Sequence, residues 1–207
     1  GGETYVVIDT QKAGDCIVHL LDRECTLKPG ETVELRVDAL RRANIASNHT
    51  ATHLVHEALR RVLGADLHQQ GSLVAPERLR FDFNYSGVIS PERLRAVEEI
   101  VNEKIAAAIP VNALNDPDEW LTIEEAKRRY PNVKMFFGEK YGHKVRIVEI
   151  DPAFSVELCG GTHVGSTSGL GSFQIISESG ISSGVRRIEA VTGEGFREFV
   201  GARFAET

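Results

Sequence analysis

Residues 38–64 read DALRRANIASNHTATHLVHEALRRVLG and set the framework of the predicted fold. The apolar residues recur with helical spacing, and Gly64 is a suitable C-terminal cap, so the stretch predicts one long helix. Ahead of it, three short segments have the composition of strands separated by turns: YVVID (residues 5–9), CIVHL (16–20) and ETVELRVD (31–38). They predict part of a small β-barrel.

The rest of the chain alternates strand and helix patterns. Further strands are predicted at residues 79–85, 144–150, 155–158, 172–179 and 185–193, and further helices at residues 90–109, 122–130 and from 194 onward. Ser90 and Pro91 begin one of these helices as N-cap and first helical residue, and Thr122 with Glu125 forms a capping box at another. The predicted fold is α+β, a mainly antiparallel sheet with packed helices, preceded by part of a small β-barrel.

Composition limits the class of protein. Of the 207 residues, 42% are hydrophobic and 26% are charged, which is ordinary for a globular protein, and no apolar run approaches the roughly 20 residues that span a bilayer. The cysteines are only Cys16, Cys25 and Cys159, so we expect no disulfide framework and a cytoplasmic location. The net charge of −6 does not by itself predict a nucleic-acid partner.

Three histidines stand close together on the predicted long helix: His49, His53 and His56. At about 100° per residue they lie within roughly 60° of one another, away from the main apolar stripe. His49 and His53 are four residues apart and can reach one metal ion. His56 lies about 10 Å along the axis from His49, so we interpret it as a bystander. The alternative is a solvated histidine face.

A second candidate for metal ligation is ELCGGTHVGST, residues 157–167, where Gly-Gly-Thr separates Cys159 from His163. Two glycines favour a tight turn that aims both side chains at one point. Thiolate and neutral imidazole are ligands that zinc prefers. With His49 and His53 they make a set of three nitrogens and one sulfur, which predicts a Zn²⁺ site. The alternative is a glycine loop with a buried cysteine.

Five stretches resemble one protein family in order along the chain: NHTATHLVHEALRRVLG (residues 48–64), HQQGSLVAPERLRFDF (68–83), FGEKYG (137–142), ELCGGTHV (157–164) and GVRRIEAVTGEG (184–195). The chain resembles the editing domain of alanyl-tRNA synthetase and the related free-standing alanyl-tRNA deacylases. This resemblance implies a zinc-binding editing domain over residues 46–195, a partial β-barrel segment over 1–45, and the start of a C-terminal helix or linker over 196–207. It also implies that the chain begins partway through a longer synthetase, whose remainder would be a partner.

The resemblance implies that the chain hydrolyses seryl-tRNA or glycyl-tRNA bearing the alanine anticodon and binds the acceptor end of tRNA(Ala), with no aminoacylation activity of its own. The implied metal ligands are His49, His53, Cys159 and His163. Gln69 matches the glutamine that lines the editing pocket of the family, and we expect it to orient substrate or water, helped by the backbone N–H groups of the Gly160-Gly161 turn and the Thr162 hydroxyl. The predicted catalytic positions are therefore Gln69, Cys159 and Thr162. For Lys140 in FGEKYG, a contact with the terminal nucleotide is one hypothesis, and an exposed turn lysine is the alternative. Two alternatives remain, a non-catalytic zinc-stabilised module that binds the acceptor end and an editing domain of the threonyl-tRNA synthetase type.

Overall fold

The computed structural model describes residues 2–135 and 142–205, and the chain divides into two units, residues 1–37 and 38–207. The first unit contains an antiparallel hairpin of β1 (Val7–Ala13) and β2 (Cys16–Leu21). Its described residues form no closed barrel. The strand predicted at residues 31–38 is wrong, because no ladder forms there and Val33, Leu35 and Val37 are 49%, 67% and 62% exposed. Alternating apolar residues make a strand only when a neighbouring strand supplies hydrogen bonds.

The second unit alternates helices and strands along the chain. They are α1 (Ala39–Leu63), β3 (Gln69–Val74), β4 (Leu79–Asn84), α2 (Pro91–Ala106), β5 (Val111–Ala113), α3 (Ile123–Arg129), β6 (Ile147–Ile150), β7 (Ser155–Leu158), β8 (Phe173–Ser182), β9 (Val185–Thr192) and α4 (Gly193–Ala205). One sheet has the order β3-β4-β9-β8 and the other β5-β6-β7, and every pairing within them is antiparallel. The predicted α+β class is therefore confirmed, although β3 and β5 were not predicted.

The long helix α1 begins and ends where the sequence signals it. The side chain of Asp38 accepts a hydrogen bond from the backbone N–H of Arg41 at 2.9 Å, which caps the first turn. Gly64 follows the last turn with φ 137°, a conformation that favours glycine. The predicted capping box of Thr122 and Glu125 is confirmed at the start of α3. Among the described residues, no helix is both long and apolar enough to cross a bilayer.

Helix α1 is covered by both sheets of the second unit, because it packs against β3, β4 and β9 of one and β7 of the other. Leu54, Val55 and Leu59 of this helix are fully buried in the main core. A smaller core beneath α3 covers the opposite face of β6 and β7 and includes Ile147 and Leu158. The middle of α1 is consequently enclosed, and it faces the loop that follows β7.

Candidate metal centre

Four side chains converge where α1 meets the loop after β7. His49 and His53 come from the helix and Cys159 and His163 from the loop, and one possible ligand atom from each lies within 4.8 Å of all the others. Cys159 Sγ lies 3.4 Å from His49 Nε2 and 3.4 Å from His163 Nε2. The ring centroids of His49 and His163 are 4.4 Å apart. These four side chains could hold a metal ion.

The sulfur-to-nitrogen distances fit a tetrahedral metal. With bonds of about 2.3 Å to sulfur and 2.05 Å to nitrogen, a tetrahedral angle separates the two ligand atoms by about 3.5 Å. Both distances from Cys159 Sγ are 3.4 Å, close to that separation. Three imidazoles and one thiol also form a donor set that suits a borderline-soft divalent cation.

Burial keeps the imidazoles of this cluster neutral. It lowers the pKa of His49 to about 4, with a smaller contribution from the neighbouring His53. It lowers the pKa of His163 to about 2, again helped by His53 and then by His49. Burial likewise lowers the pKa of His53. Neutral imidazole is the form that binds a metal, so near pH 7 each ring has a nitrogen lone pair available.

The glycine turn is shaped around one histidine ring. A Cβ on Gly161 would lie 2.0 Å from His49 Cε1 and 2.4 Å from His49 Nδ1, whereas a Cβ on Gly160 would meet nothing within 4 Å. The N–H of Gly161 points at Cys159 Sγ, 3.5 Å away, and its carbonyl accepts a hydrogen bond from Arg146. Gly161 is therefore required for close approach. Its N–H is directed at the sulfur.

The interpretation of the helix histidines as a solvated face is wrong, because His53 is 1% and His56 is 4% exposed. Both rings are covered by β7. Nδ1 of His53 lies 3.4 Å and Nδ1 of His56 3.3 Å from the carboxylate of Glu157, which is itself 1% exposed. The ring of His56 also packs on Phe81, with centroids 5.3 Å apart. His56 is thus part of the packed interior beside the cluster.

Glu157 is a buried carboxylate that the sequence analysis missed. Lys134 Nζ lies 3.0 Å from its Oε1, and the hydroxyl of Ser155 donates to the same oxygen at 3.1 Å. Burial alone would raise the pKa of Glu157, but its polar contacts, with His53 first and then Lys134 and His56, outweigh burial and hold the pKa well below its usual value. The sequence did carry one signal for it: Glu157 is an acidic residue within the short strand β7, two positions before the candidate ligand Cys159.

Thr50 joins the two halves of the cluster. Its hydroxyl donates to the carbonyl of Ala46 at 2.9 Å, the ordinary pattern for a helical threonine. The same oxygen lies 3.1 Å from His163 Nδ1 and accepts a hydrogen bond from the N–H of Val164 at 3.2 Å. The helix and the loop are therefore linked directly at the candidate ligand His163.

A cavity of about 420 Å³ opens beside the cluster. Its lining includes Thr162 and His163 on one side and Trp120 and Arg146 on another. Trp120 is held in place because its Nε1 donates to the carbonyl of Leu114 at 2.9 Å. A volume in this range is typical of small-molecule sites. The exposed Thr162, a predicted catalytic residue, is placed at this cavity.

Gln69, a predicted catalytic residue, is the first residue of β3. It is not part of the cavity lining. The register pairs Gln69 with Phe83, whose side chain is fully buried, so Gln69 lies on the sheet face directed at the core. Its Nε2 donates to Ser72 Oγ at 3.3 Å, while its buried Oε1 has no hydrogen-bond partner among residues 2–135 and 142–205. Lys140, proposed to contact the terminal nucleotide, lies outside the described residues.

Comparisons with known proteins give a consistent result. Residues 145–189 match the family described as the threonyl and alanyl tRNA synthetase second additional domain. The chain is 49% identical over 215 residues to alanine–tRNA ligase of Methylacidiphilum infernorum (isolate V4), with 100% of the chain and 22% of that protein covered. It is 48% identical over 204 residues to the ligase of Geobacillus kaustophilus (strain HTA426), with 98% and 22% covered. The chain thus spans about a fifth of the length of these relatives.

Proposed function

We propose that this chain, which carries the second additional domain of threonyl and alanyl tRNA synthetases, is an aminoacyl-tRNA deacylase that hydrolyses seryl-tRNA or glycyl-tRNA bearing the alanine anticodon. The resemblance to alanyl-tRNA synthetases found in the sequence is confirmed by the 47–49% identity to three alanine–tRNA ligases. The observation that carries the proposal is the convergence of three neutral imidazoles and one thiol at the edge of a cavity.

Hydrolysis of the wrong ester meets a physical need. A binding pocket shaped for alanine cannot reject glycine by size, and it rejects an added hydroxyl only weakly, by about 10² in comparable cases. A second site that removes serine or glycine after the ester has formed supplies the missing discrimination. Since an ester already reacts slowly with water, positioning and modest stabilisation of the developing charge are sufficient.

The proposed zinc site would be held by His49, His53, Cys159 and His163. Bound there, zinc would act as a Lewis acid and an anchor for an amino or hydroxyl group of the aminoacyl moiety. Cys159 serves as a ligand, and its neighbour Thr162 presents a hydroxyl to the substrate in the cavity. Because four protein ligands would fill a tetrahedral site, we favour an anchoring role in which the substrate group would add as a fifth ligand or replace one of the four.

Gln69 supplies a second polar group in this proposal. A buried amide oxygen without a partner costs about 1–3 kcal/mol, so a donor from substrate or water is favoured at that position. The hydroxyl of a seryl ester and the attacking water are both suitable donors. Gln69 would then orient one of them through Oε1, for which the described part of the chain supplies no donor.

The test is the rate of ester hydrolysis on seryl-, glycyl- and alanyl-tRNA, all bearing the alanine anticodon. We expect rapid hydrolysis of the seryl and glycyl esters, with the alanyl ester spared. Cys159→Ala should lower the rate by at least about 10², because loss of a ligand costs more than the 10–100-fold effect of removing a group that hydrogen-bonds to a ligand. Gln69→Ala should lower the rate, while Gln70→Ala at the exposed neighbouring position should not.

A second candidate function is a non-catalytic module that binds the acceptor end, and the closed set of four ligands is the observation that favours it. It predicts that wild type and Cys159→Ala both leave seryl-tRNA at its spontaneous rate of hydrolysis, even at stoichiometric protein. The threonyl-type alternative predicts hydrolysis of seryl-tRNA bearing the threonine anticodon in preference to the alanine one.

A further inference from the structure

Each histidine of the candidate metal centre must offer the correct one of its two ring nitrogens. A neutral imidazole carries its proton on one nitrogen, and only the other nitrogen can bind a metal. The group that contacts the protonated nitrogen decides which tautomer forms. The groups that contact the ring nitrogen facing away from the metal position therefore show whether the protein fixes the tautomer before metal binds.

For His163 the hydrogen bonds of Thr50 determine the tautomer. A hydroxyl has one proton to donate and two lone pairs to accept with. The proton of Thr50 goes to the carbonyl of Ala46 at 2.9 Å, and one lone pair accepts the N–H of Val164 at 3.2 Å. The remaining lone pair faces His163 Nδ1 at 3.1 Å, and this arrangement is satisfied when that nitrogen carries the proton. The lone pair on Nε2, 3.4 Å from Cys159 Sγ, is left for the metal.

For His53 the corresponding group is Glu157. Its Oε1 is occupied by Lys134 at 3.0 Å and Ser155 at 3.1 Å, which fixes the orientation of the carboxylate. The other oxygen, Oε2, lies 3.4 Å from His53 Nδ1. This contact does not meet hydrogen-bond geometry, but the negative charge of the carboxylate stabilises an N–H on the nitrogen that faces it. The proton is therefore favoured on Nδ1, and Nε2 is the nitrogen directed at the metal.

His56 belongs to the same arrangement without being a ligand. Its Nδ1 lies 3.3 Å from Glu157 Oε1, and its ring packs on Phe81. Oε1 of Glu157 is thus held between His56 and Lys134, and Oε2 faces the proposed ligand His53. Lys134 is in turn 3.1 Å from Glu57 of α1, which links the carboxylate of Glu157 to the helix that carries His53.

We propose that Thr50 and Glu157 are positioning residues that fix the Nδ1-protonated tautomers of His163 and His53 and so direct both Nε2 atoms to one metal ion. Neither residue is a ligand. The inference rests on the proposed metal site but not on the proposed deacylation, since it concerns the protein and the metal alone.

The first test measures the affinity of four variants for Zn²⁺ by competition with a chromophoric chelator, without tRNA. Thr50→Val and Glu157→Gln should each bind Zn²⁺ about 10–100-fold more weakly than wild type. Thr50→Ser, which keeps the hydroxyl, should remain within about threefold. Glu124→Gln at an exposed position of α3 is the matched control for the carboxylate change and should bind as wild type does.

Loss of folding is separated from loss of positioning by thermal unfolding of the metal-free variants. Lys134 contacts both Glu157 and Glu57, and Glu157→Gln removes one of these two partners. If that variant fails to fold, the double variant Lys134→Met/Glu157→Gln removes both charges and takes its place in the assay. If Thr50→Val binds Zn²⁺ as tightly as wild type does, the proposal for Thr50 is overturned. If the folded variant at Glu157 binds Zn²⁺ as tightly as wild type does, the proposal for Glu157 is overturned.

The second test reads the tautomers directly from long-range proton–nitrogen NMR spectra of the histidine rings in the full chain. In metal-free wild type we expect His53 and His163 in the Nδ1-protonated form, and after Zn²⁺ addition a shift of Nε2 alone. Thr50→Val should lose the single tautomer at His163 and keep it at His53. A purely structural role of Thr50 predicts no such change, and an Nε2-protonated His163 in wild type contradicts the proposal. If the tautomers are as expected but seryl-tRNA is not hydrolysed, only the proposed function fails.

Discussion

Replacing Gly161 by alanine tests the geometry of the metal centre with a single methyl group. The new Cβ would lie 2.0 Å from His49 Cε1, whereas carbon atoms in contact are normally about 3.5–4.0 Å apart. The ring or the turn must therefore retreat by about 1.5 Å. Metal–ligand distances tolerate only about ±0.2 Å, so His49 should be lost as a ligand.

We expect the affinity of Gly161→Ala for Zn²⁺ to be lower than that of wild type by more than about 100-fold. This exceeds the 10–100-fold loss expected when a group that hydrogen-bonds to a ligand is removed. Gly160→Ala is the matched control, because its Cβ would meet nothing within 4 Å and it differs from the test by one position in the same turn. Both affinities are measured by chelator competition on protein shown to be folded. Binding of Zn²⁺ by Gly161→Ala within threefold of Gly160→Ala would refute the close approach of His49 to this turn.

Three further predictions concern stability and metal content. Because burial lowers the pKa of His49 to about 4 and of His163 to about 2, the unfolded chain binds more protons below about pH 6.5. The free energy of unfolding of metal-free protein should therefore fall as pH drops from 7 to 5, by up to about 1.4 kcal/mol per pH unit for each histidine. Denaturant titration measures it, and equal free energies of unfolding at pH 7 and pH 5 would contradict this prediction. Phe81→Ala should cost about 3–5 kcal/mol in the same titration, since Phe81 is fully buried, while Phe204→Ala at a position 79% exposed should change stability by less than about 0.5 kcal/mol. His56→Gln should lower stability yet still bind one Zn²⁺ per chain by elemental analysis; a chain that takes up no metal would show that His56 is a ligand.

The sequence predicted local features well because their signals are local. Histidines at i and i+4 on a helix, and a cysteine and a histidine around two glycines, bring their own spacing, and the structure places these side chains together. The caps of α1 and α3 follow from residues within three positions of each other.

Features that depend on distant partners were missed or mistaken. Glu157 and Thr50 acquire their importance from residues on other elements, and no short pattern shows those contacts. Strand β3 reads QQGSLV, which lacks apolar alternation, and it forms because β4 supplies the hydrogen bonds. The reverse holds for residues 31–38, where alternation is present but no ladder forms.

The most direct test of the central claim, a metal-dependent deacylase, compares seryl-tRNA hydrolysis by metal-depleted and zinc-reconstituted protein, with alanyl-tRNA measured alongside. Both tRNAs bear the alanine anticodon, and circular dichroism establishes that the depleted protein is folded. The proposed function predicts that depletion abolishes hydrolysis of the seryl ester, that zinc restores it, and that the alanyl ester is spared throughout. Equal hydrolysis of seryl-tRNA with and without metal, or no hydrolysis by the reconstituted protein, would contradict it.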